Sequence, residues 1–320
     1  MIDPAAAVLV ANPHGGGGKV GRAWPRIAAE VRAALGPVEL LLTDGPGDAT
    51  RLAREAVAAG RTVVLSLGGD GTHGEVVSGI LDAGAAPGAV TLGVLPAGTG
   101  GDFRRVVGGD GSLADSLGRL AGAAATPIDA GVVHFLDERG EPARRGFVNL
   151  ASLGISAEID KRVNRSSKRW GGRLTFLGAT LRALATFRAP RVALRVDGRD
   201  AGEHLVSTIT VANGRWAGGG MCFAPAALLD DGLLDVTVLR DAGPLRSALH
   251  LPRLYDGRLA GLPEVTQLRG RVIEVHAVDA AAPVWIEADG EPLGTLPARF
   301  EVRPGALRLL DARPELLGAP

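Results

Sequence analysis

The sequence holds a single cysteine, Cys222, among 320 residues. That excludes a disulfide framework within the chain and a cysteine-rich zinc site, and Cys222 reads as a small buried apolar residue. Neither charge is in excess, since Lys plus Arg and Asp plus Glu both total 35. A general nucleic-acid binder would be visibly basic, so no nucleic acid is expected as a partner. No run reaches the ~20 apolar residues needed to span a bilayer. No early segment joins a basic start, an apolar run and a cleavage site. These features point to a cytoplasmic protein that meets a membrane, if at all, peripherally and from its surface. His134, His204, His250 and His276 are scattered without metal-ligand spacing, and no internal repeat is apparent.

What the chain has in quantity is glycine, with 47 residues, about twice the average share. The glycines cluster instead of recurring at a fixed period, which removes collagen-like and low-complexity readings and favours glycine-rich turns. Hydrophobic residues make up 46%, enough for a core in each of two domains at this length.

The first third alternates strand and helix patterns. Residues 6–11 (AAVLVA) read as a buried strand, 24–35 as a helix, 38–42 as a second strand and 48–59 as a helix with Asp48 as its N-cap. Residues 62–67 (TVVLSL) form a third strand, followed by Gly68-Gly69-Asp70-Gly71-Thr72 and a helix to about Leu81. Residues 90–95 (VTLGVL) form a fourth. This spacing implies an α/β domain with a Rossmann-like parallel sheet, helices on both faces and ligands at the carboxyl ends of the strands. The glycine-rich loops fall at those ends. After about Thr126 strand-like runs dominate, at 128–135, 147–153, 192–196, 206–212, 234–239, 272–278 and 284–287. Helices are rarer there, the clearest at 173–187 and 245–255. A mainly antiparallel β-sandwich or flattened barrel is expected. The expected division is 1–125 for the α/β domain and 126–302 for the β-rich domain, with 303–320 returning to the first.

Three loops carry the chemistry. Asn12-Pro13-His14-Gly15-Gly16-Gly17-Gly18-Lys19 lies between a strand and a helix, where backbone N–H groups and a helix N-terminus attract anions. It is no P-loop, because Val20 stands where Ser or Thr would hold Mg²⁺. In Gly68–Thr72 with Glu75 the glycines admit a nucleotide to the backbone. Asp70 needs a partner there, because an unpaired buried carboxylate is unfavourable. Pro96-Ala97-Gly98-Thr99-Gly100-Gly101-Asp102-Phe103 offers a hydroxyl and backbone N–H groups, with Asp102 as a cap for the helix after it. Each loop alone could be a plain turn. Three at one end of one sheet point to a polyphosphate ligand.

This set resembles the diacylglycerol kinase catalytic-domain family, which includes the sphingosine and ceramide kinases and bacterial lipid kinases. The matching residues are Asn12-Pro13 and the glycines after it, Thr43 with Gly47-Asp48-Ala49, Gly69-Asp70-Gly71-Thr72 with Glu75, and Pro96–Thr99 with Asp102-Phe103. Later come Pro225, Asp231-Gly232-Leu233-Leu234-Asp235 and Asp289-Gly290-Glu291, so the likeness spans residues 12 to 291. The resemblance implies an ATP-dependent lipid kinase with ATP between two domains. It implies nucleotide contacts at Asn12, Pro13, His14, Gly15, Gly16, Thr43, Gly69, Asp70, Gly71, Thr72, Glu75, Gly98, Thr99 and Gly100. It implies a structural Mg²⁺ at Asp231 and the Leu233 carbonyl. For phosphoryl transfer, a Mg²⁺ on the phosphates is expected to be held, directly or through water, by Asp70, Asp289 or both. Catalysis falls to Glu291, Asp289 and Asp70, with Glu291 or Asp289 favoured over Asp70 as the base. An Asp-Gly hairpin turn is the plain reading of Asp289-Gly290.

The chain departs from the family at His73-Gly74 and Gly101, where the family usually has an apolar residue with Asn, and Asn. Those departures keep open a non-catalytic nucleotide- or lipid-binding regulator, and the shared GGDGT string keeps open an NAD kinase-like enzyme with a soluble substrate. His14 and His73 read as phosphate contacts or as solvent-facing. Lys161–Arg173 reads as a docking face for anionic membrane or as a plain solvated segment. A homodimer is compatible with the sequence, which does not reveal the oligomeric state.

Overall fold

The computed structural model describes residues 2–97, 101–107, 112–158, 187–243, 246, 252–278 and 283–318. The expected helices at 173–187 and 245–255, the basic segment Lys161–Arg173 and the candidate contacts Gly98, Thr99 and Gly100 lie wholly or mostly outside these residues.

The first half contains β1 (Ala7–Ala11), α1 (Gly15–Arg22), α2 (Trp24–Leu35), β2 (Glu39–Leu42), α3 (Asp48–Ala58), β3 (Val63–Gly68), α4 (Asp70–Asp82), β4 (Thr91–Pro96) and α5 (Leu113–Gly122). The four strands are parallel and lie in the order β2–β1–β3–β4. The sheet is parallel as expected, but its order is the other common doubly wound one and not the Rossmann 3-2-1-4. Strand β1 is buried along its whole length because both sheet faces are covered. Val8 and Val10 join Leu52, Val76 and Val77 under α3 and α4, while Leu9 joins Val31 and Leu117 under α2 and α5. Every strand delivers its following loop to one end of the sheet, and the candidate site lies at that end.

The second half is β-rich: β5 (Ala125–Leu136), β6 (Pro142–Phe147), β7 (Leu150–Gly154), β8 (Arg191–Val196), β9 (Arg199–Ala212), β10 (Trp216–Ala217), β11 (Met221–Cys222), β12 (Leu234–Arg240), β13 (Val265–Gly270), β14 (Val272–Ala277), β15 (Trp285–Ala288) and β16 (Glu291–Leu310). The antiparallel pairs run round a closed circuit, β9–β7–β15–β16–β14–β8 and back to β9. The arrangement is therefore barrel-like, which is the flattened-barrel alternative of the sequence reading and not the sandwich. Two strands explain the closure. β9 has 14 residues and β16 has 20, and register shifts bend β16 between Thr295 and Arg299 and again between Arg303 and Leu307. A bulged strand of that length turns a corner and serves both layers. Beyond its second bend β16 pairs in parallel with β4, at Arg308↔Thr91 and Leu309↔Leu92. Cys222 is buried, as its type suggests. Among the described residues no helix is long and apolar enough to cross a membrane.

Candidate active site

The loops after β1, β3 and β4 meet. A Cβ on Gly15 would lie 3.6 Å from the Gly68 Cα and 3.8 Å from the Ala97 Cβ, and one on Gly16 would lie 3.5 Å from the Ala97 carbonyl oxygen. Gly16, Gly17 and Gly18 hold φ of 60°, 70° and 79°, a left-handed run that only glycine enters readily. The Asn12 Nδ2 donates to the Thr72 hydroxyl at 3.1 Å, and the Asn12 Oδ1 accepts the His14 N–H at 2.8 Å. The Asn12 amide thus ties its own loop to the α4 loop with one end and folds its own turn with the other. Thr43 is buried and donates its N–H to the Ala11 carbonyl. Pro13 is partly exposed, and His14 is exposed.

Glu75 does similar work from inside α4. Its carboxylate accepts the Gly47 N–H at 2.8 Å and the Ala49 N–H at 3.1 Å. These are the N-cap and first-turn donors of α3, which have no intrahelical acceptor. The N-cap of α3 is Gly47, with φ 81°, and Asp48 is the first helical residue instead of the cap expected from the sequence. A glycine takes that left-handed position, and the capping carboxylate comes from a neighbouring helix.

The N-terminus of α4 faces the hairpin between β15 and β16. Asp289 and Gly290 have φ of 48° and 81°, the sign pattern of a type I′ turn, and Ala288 pairs with Glu291 across it. The plain hairpin reading of Asp-Gly is thus correct in geometry, and the turn also carries its two acids to α4. The Glu291 carboxylate packs directly on Gly71, where any Cβ would collide with it. A Cβ on Gly74 would lie 3.0 Å from the Asp289 Oδ2, and one on Gly101 would lie 3.3 Å from the Asp70 Oδ1. The two glycine departures from the family pattern, Gly74 and Gly101, are therefore residues without a side chain against a site carboxylate.

Asp289, which is buried, and Asp70, which is partly exposed, are both held by backbone. Asp289 accepts the N–H groups of Val148, Asn149 and Leu150 at 3.0, 3.1 and 3.1 Å. Burial pushes its carboxyl up to about 6 against the opposing pull of those bonds. Asp70 accepts the N–H groups of Asp102 and Phe103 at 2.8 and 3.0 Å. Burial raises it to about 7, with the negative charges of Asp102 and Asp289 adding to the rise. Asp102 is not the side-chain cap expected, since Asp70 takes the helix donors. Its own carboxylate accepts the Gly219 N–H at 2.7 Å and is also raised by burial. His73 reaches neither phosphate nor solvent. It is 2% exposed, its Nδ1 lies 2.8 Å from the Ser66 hydroxyl, and burial lowers it to about 4.

Sequence reasoning missed Asn149 and Asn213. Both are buried at this end of the second domain. The Asn149 Nδ2 donates to the Trp216 carbonyl, and the Asn213 Nδ2 donates to the carbonyls of Asp129 and Val148. A lone asparagine following an apolar stretch was the available signal, and it does not distinguish a site residue from a turn.

The Asp231 carboxylate, which the resemblance assigns to a structural Mg²⁺, already has protein partners. The Asp231 carboxylate pairs with the Arg269 guanidinium and accepts the Leu233 N–H, and Arg269 Nε lies 3.3 Å from Asp235. A protein cation stands where the resemblance implies a metal. Among the described residues, no group of three or more His, Cys, Asp or Glu side chains could hold a metal ion. Asp70 and Asp289 sit at the site, with backbone donors on their oxygens.

Known proteins agree with this architecture. A family model described as the diacylglycerol kinase catalytic domain matches residues 6–133, and one described as the YegS C-terminal NAD kinase beta sandwich-like domain matches 149–311. A Pseudomonas fluorescens protein named "Probable lipid kinase YegS-like" is 34% identical over 285 residues, covering 89% of each chain. The fold is similar to the crystal structure of a diacylglycerol kinase from Bacillus anthracis, at TM-score 0.68 and 21% identity over 97% of this chain and 98% of that one. It is also similar to yeast NADH kinase complexed with NADH, at TM-score 0.52 and 12% identity over 97% of this chain and 84% of that one. These two structural likenesses concern the fold alone. The chain belongs to the YegS-like family of kinases, which joins a diacylglycerol kinase catalytic domain to the YegS C-terminal domain.

Proposed function

We propose that the protein transfers the terminal phosphoryl group of ATP to a hydroxyl of a diacylglycerol- or sphingoid-like lipid, with the nucleotide in the cleft between the two domains. The observation that carries this reading is the meeting of the α4 N-terminus with the β15–β16 turn, Gly71 against Glu291 and Gly74 against Asp289. The glycine loops and the first turn of α4 present N–H groups and partial positive charge suited to phosphate oxygens. Mg²⁺ enters with the nucleotide, as part of that substrate. Phosphoryl transfer rests mainly on positioning and charge neutralisation, which rigid, mutually bonded loops supply.

The acceptor hydroxyl gives its proton to the Glu291 carboxylate as its oxygen bonds the γ-phosphorus. The bond from that phosphorus to the bridging oxygen breaks, and ADP leaves. Asp289 fixes the turn that aims Glu291, and Asp70 fixes the loop at Asp102–Phe103. The test is transfer of radiolabelled phosphate from ATP into a total lipid extract. Labelled lipid is expected, with Glu291→Gln and Asp70→Asn each slower by about 10²–10⁴-fold. Label in NAD and not in lipid would instead support a soluble-substrate kinase. Full lipid labelling by both variants would contradict the roles.

A further inference from the structure

One face of the second domain's sheet is polar although it is buried. Glu287 on β15 stands opposite Ser152 on β7, Ser152 opposite Thr210 on β9, Thr210 opposite Thr237 on β12, and Thr237 opposite Gln267 on β13. Directly opposed residues of antiparallel neighbours show their side chains on the same face, so the five form one row. Glu287 is 3% exposed and Ser152, Thr210 and Thr237 are each 1% exposed, whereas Gln267 at the edge is exposed. The alternating residues Leu153, Ile209, Val211, Val236 and Ile286 fill the apolar core on the other face.

Most of this row is bonded within the protein. Glu287 accepts the Ser152 hydroxyl and, at 3.0 Å, the Gly290 N–H. Ser152 lies 2.6 Å from the Ser156 hydroxyl, which lies 2.9 Å from that of Thr208. Thr237 donates to the Phe223 carbonyl at 2.7 Å. Thr210 is the exception. Its hydroxyl is buried and no protein group partners it, an unfavourable arrangement unless a partner comes from outside the chain.

The row starts beside the proposed chemistry, since Glu287 bonds the turn that carries Glu291, and it reaches the partly exposed surface at Ser156. We propose that this row binds the polar headgroup of the acceptor lipid, and that Thr210 selects an acceptor bearing a second hydroxyl beside the one phosphorylated. The proposal rests on the reading of the chain as a lipid hydroxyl kinase and narrows its acceptor to lipids with more than one free hydroxyl, which a diacylglycerol does not have. Hydroxyls that donate and accept suit a neutral polyol, and the Glu287 carboxylate disfavours an anionic headgroup.

Two probes test it in mixed micelles: 1-oleoylglycerol and the oleoyl monoester of propane-1,3-diol, which differ only in the second hydroxyl. The wild type is expected to favour oleoylglycerol in kcat/KM. Thr210→Val is expected to shrink that ratio about 3- to 10-fold, one neutral hydrogen bond's worth, and Thr210→Ser to restore it. Thr210→Val should also melt no lower than the wild type, because it removes an unpaired buried hydroxyl. An unchanged ratio in folded Thr210→Val overturns the proposal, as does a lower melting temperature with equal losses on both probes, which marks a structural hydroxyl held by water. If a total lipid extract is labelled and neither probe is, the headgroup assignment fails while the kinase reading stands. If the extract is not labelled either, the kinase reading itself fails.

Discussion

Asp70 and Asp289 bind protons in the folded protein at pH values where an ordinary aspartate has lost them, because burial raises them to about 7 and about 6. A carboxyl raised on folding is stabilising while protonated, below its unfolded value near 4, and that contribution is lost as pH rises through the folded value. Stability should therefore fall between pH 5 and pH 7, by about 2 kcal/mol for one such group. Urea unfolding of Asp70→Asn should show a shallower fall over that window than the wild type, and equal slopes would contradict the assignment. Activity should run the other way. kcat/KM for ATP should rise through the same window as the pair ionises, with apparent values belonging to the pair and not to either residue. Gly71 is a second test at this scale. Gly71→Ala drives the Glu291 carboxylate from the helix end and should lower kcat at least 10²-fold with the circular dichroism spectrum unchanged. At residue level the sequence singled out acids that the fold brings together at the end of α4, but not who holds them. Asp102 looked like a cap because it precedes a helix, yet the cap comes from Asp70, 32 positions away.

The elements show the same contrast. Strands β1, β3 and β4 and helices α2 and α4 were legible, because apolar runs ended in glycine and helical spacing followed. Strand β6 (PARRGF) was not, since it opens on proline, carries two arginines and draws its place from pairing with β5. Helix α5 was missed although Ser112 and Asp115 form a capping box, a signal present in the string. Glu75 links two elements, and its substitution tests that link. Glu75→Ala removes the acceptor for the Gly47 and Ala49 N–H groups and should lower stability by about 1–3 kcal/mol, measured by denaturant unfolding. An unchanged midpoint would mean that water replaces the carboxylate without loss.

At the scale of the whole molecule, alternation of strands and helices announced the first domain. For the second, the strand runs left sandwich and flattened barrel open, because the choice depends on where β9 and β16 bend and no local pattern marks the bends. The Arg269 pairs with Asp231 and Asp235 bring together segments more than 30 residues apart, and they carry a prediction about metal. The wild type should melt at the same temperature in EDTA and in excess Mg²⁺, whereas Arg269→Gln should melt lower and recover with Mg²⁺. A wild-type melting temperature that drops in EDTA would mean that the loop needs a metal after all. The central claim, a triphosphate gripped between glycine loops of one domain and an acidic turn of the other, has a direct test. A crystal structure with a non-hydrolysable ATP analogue and Mg²⁺ should place the phosphates between residues 12–16, 69–72 and 289–291. Phosphate density bound elsewhere on the protein would contradict it.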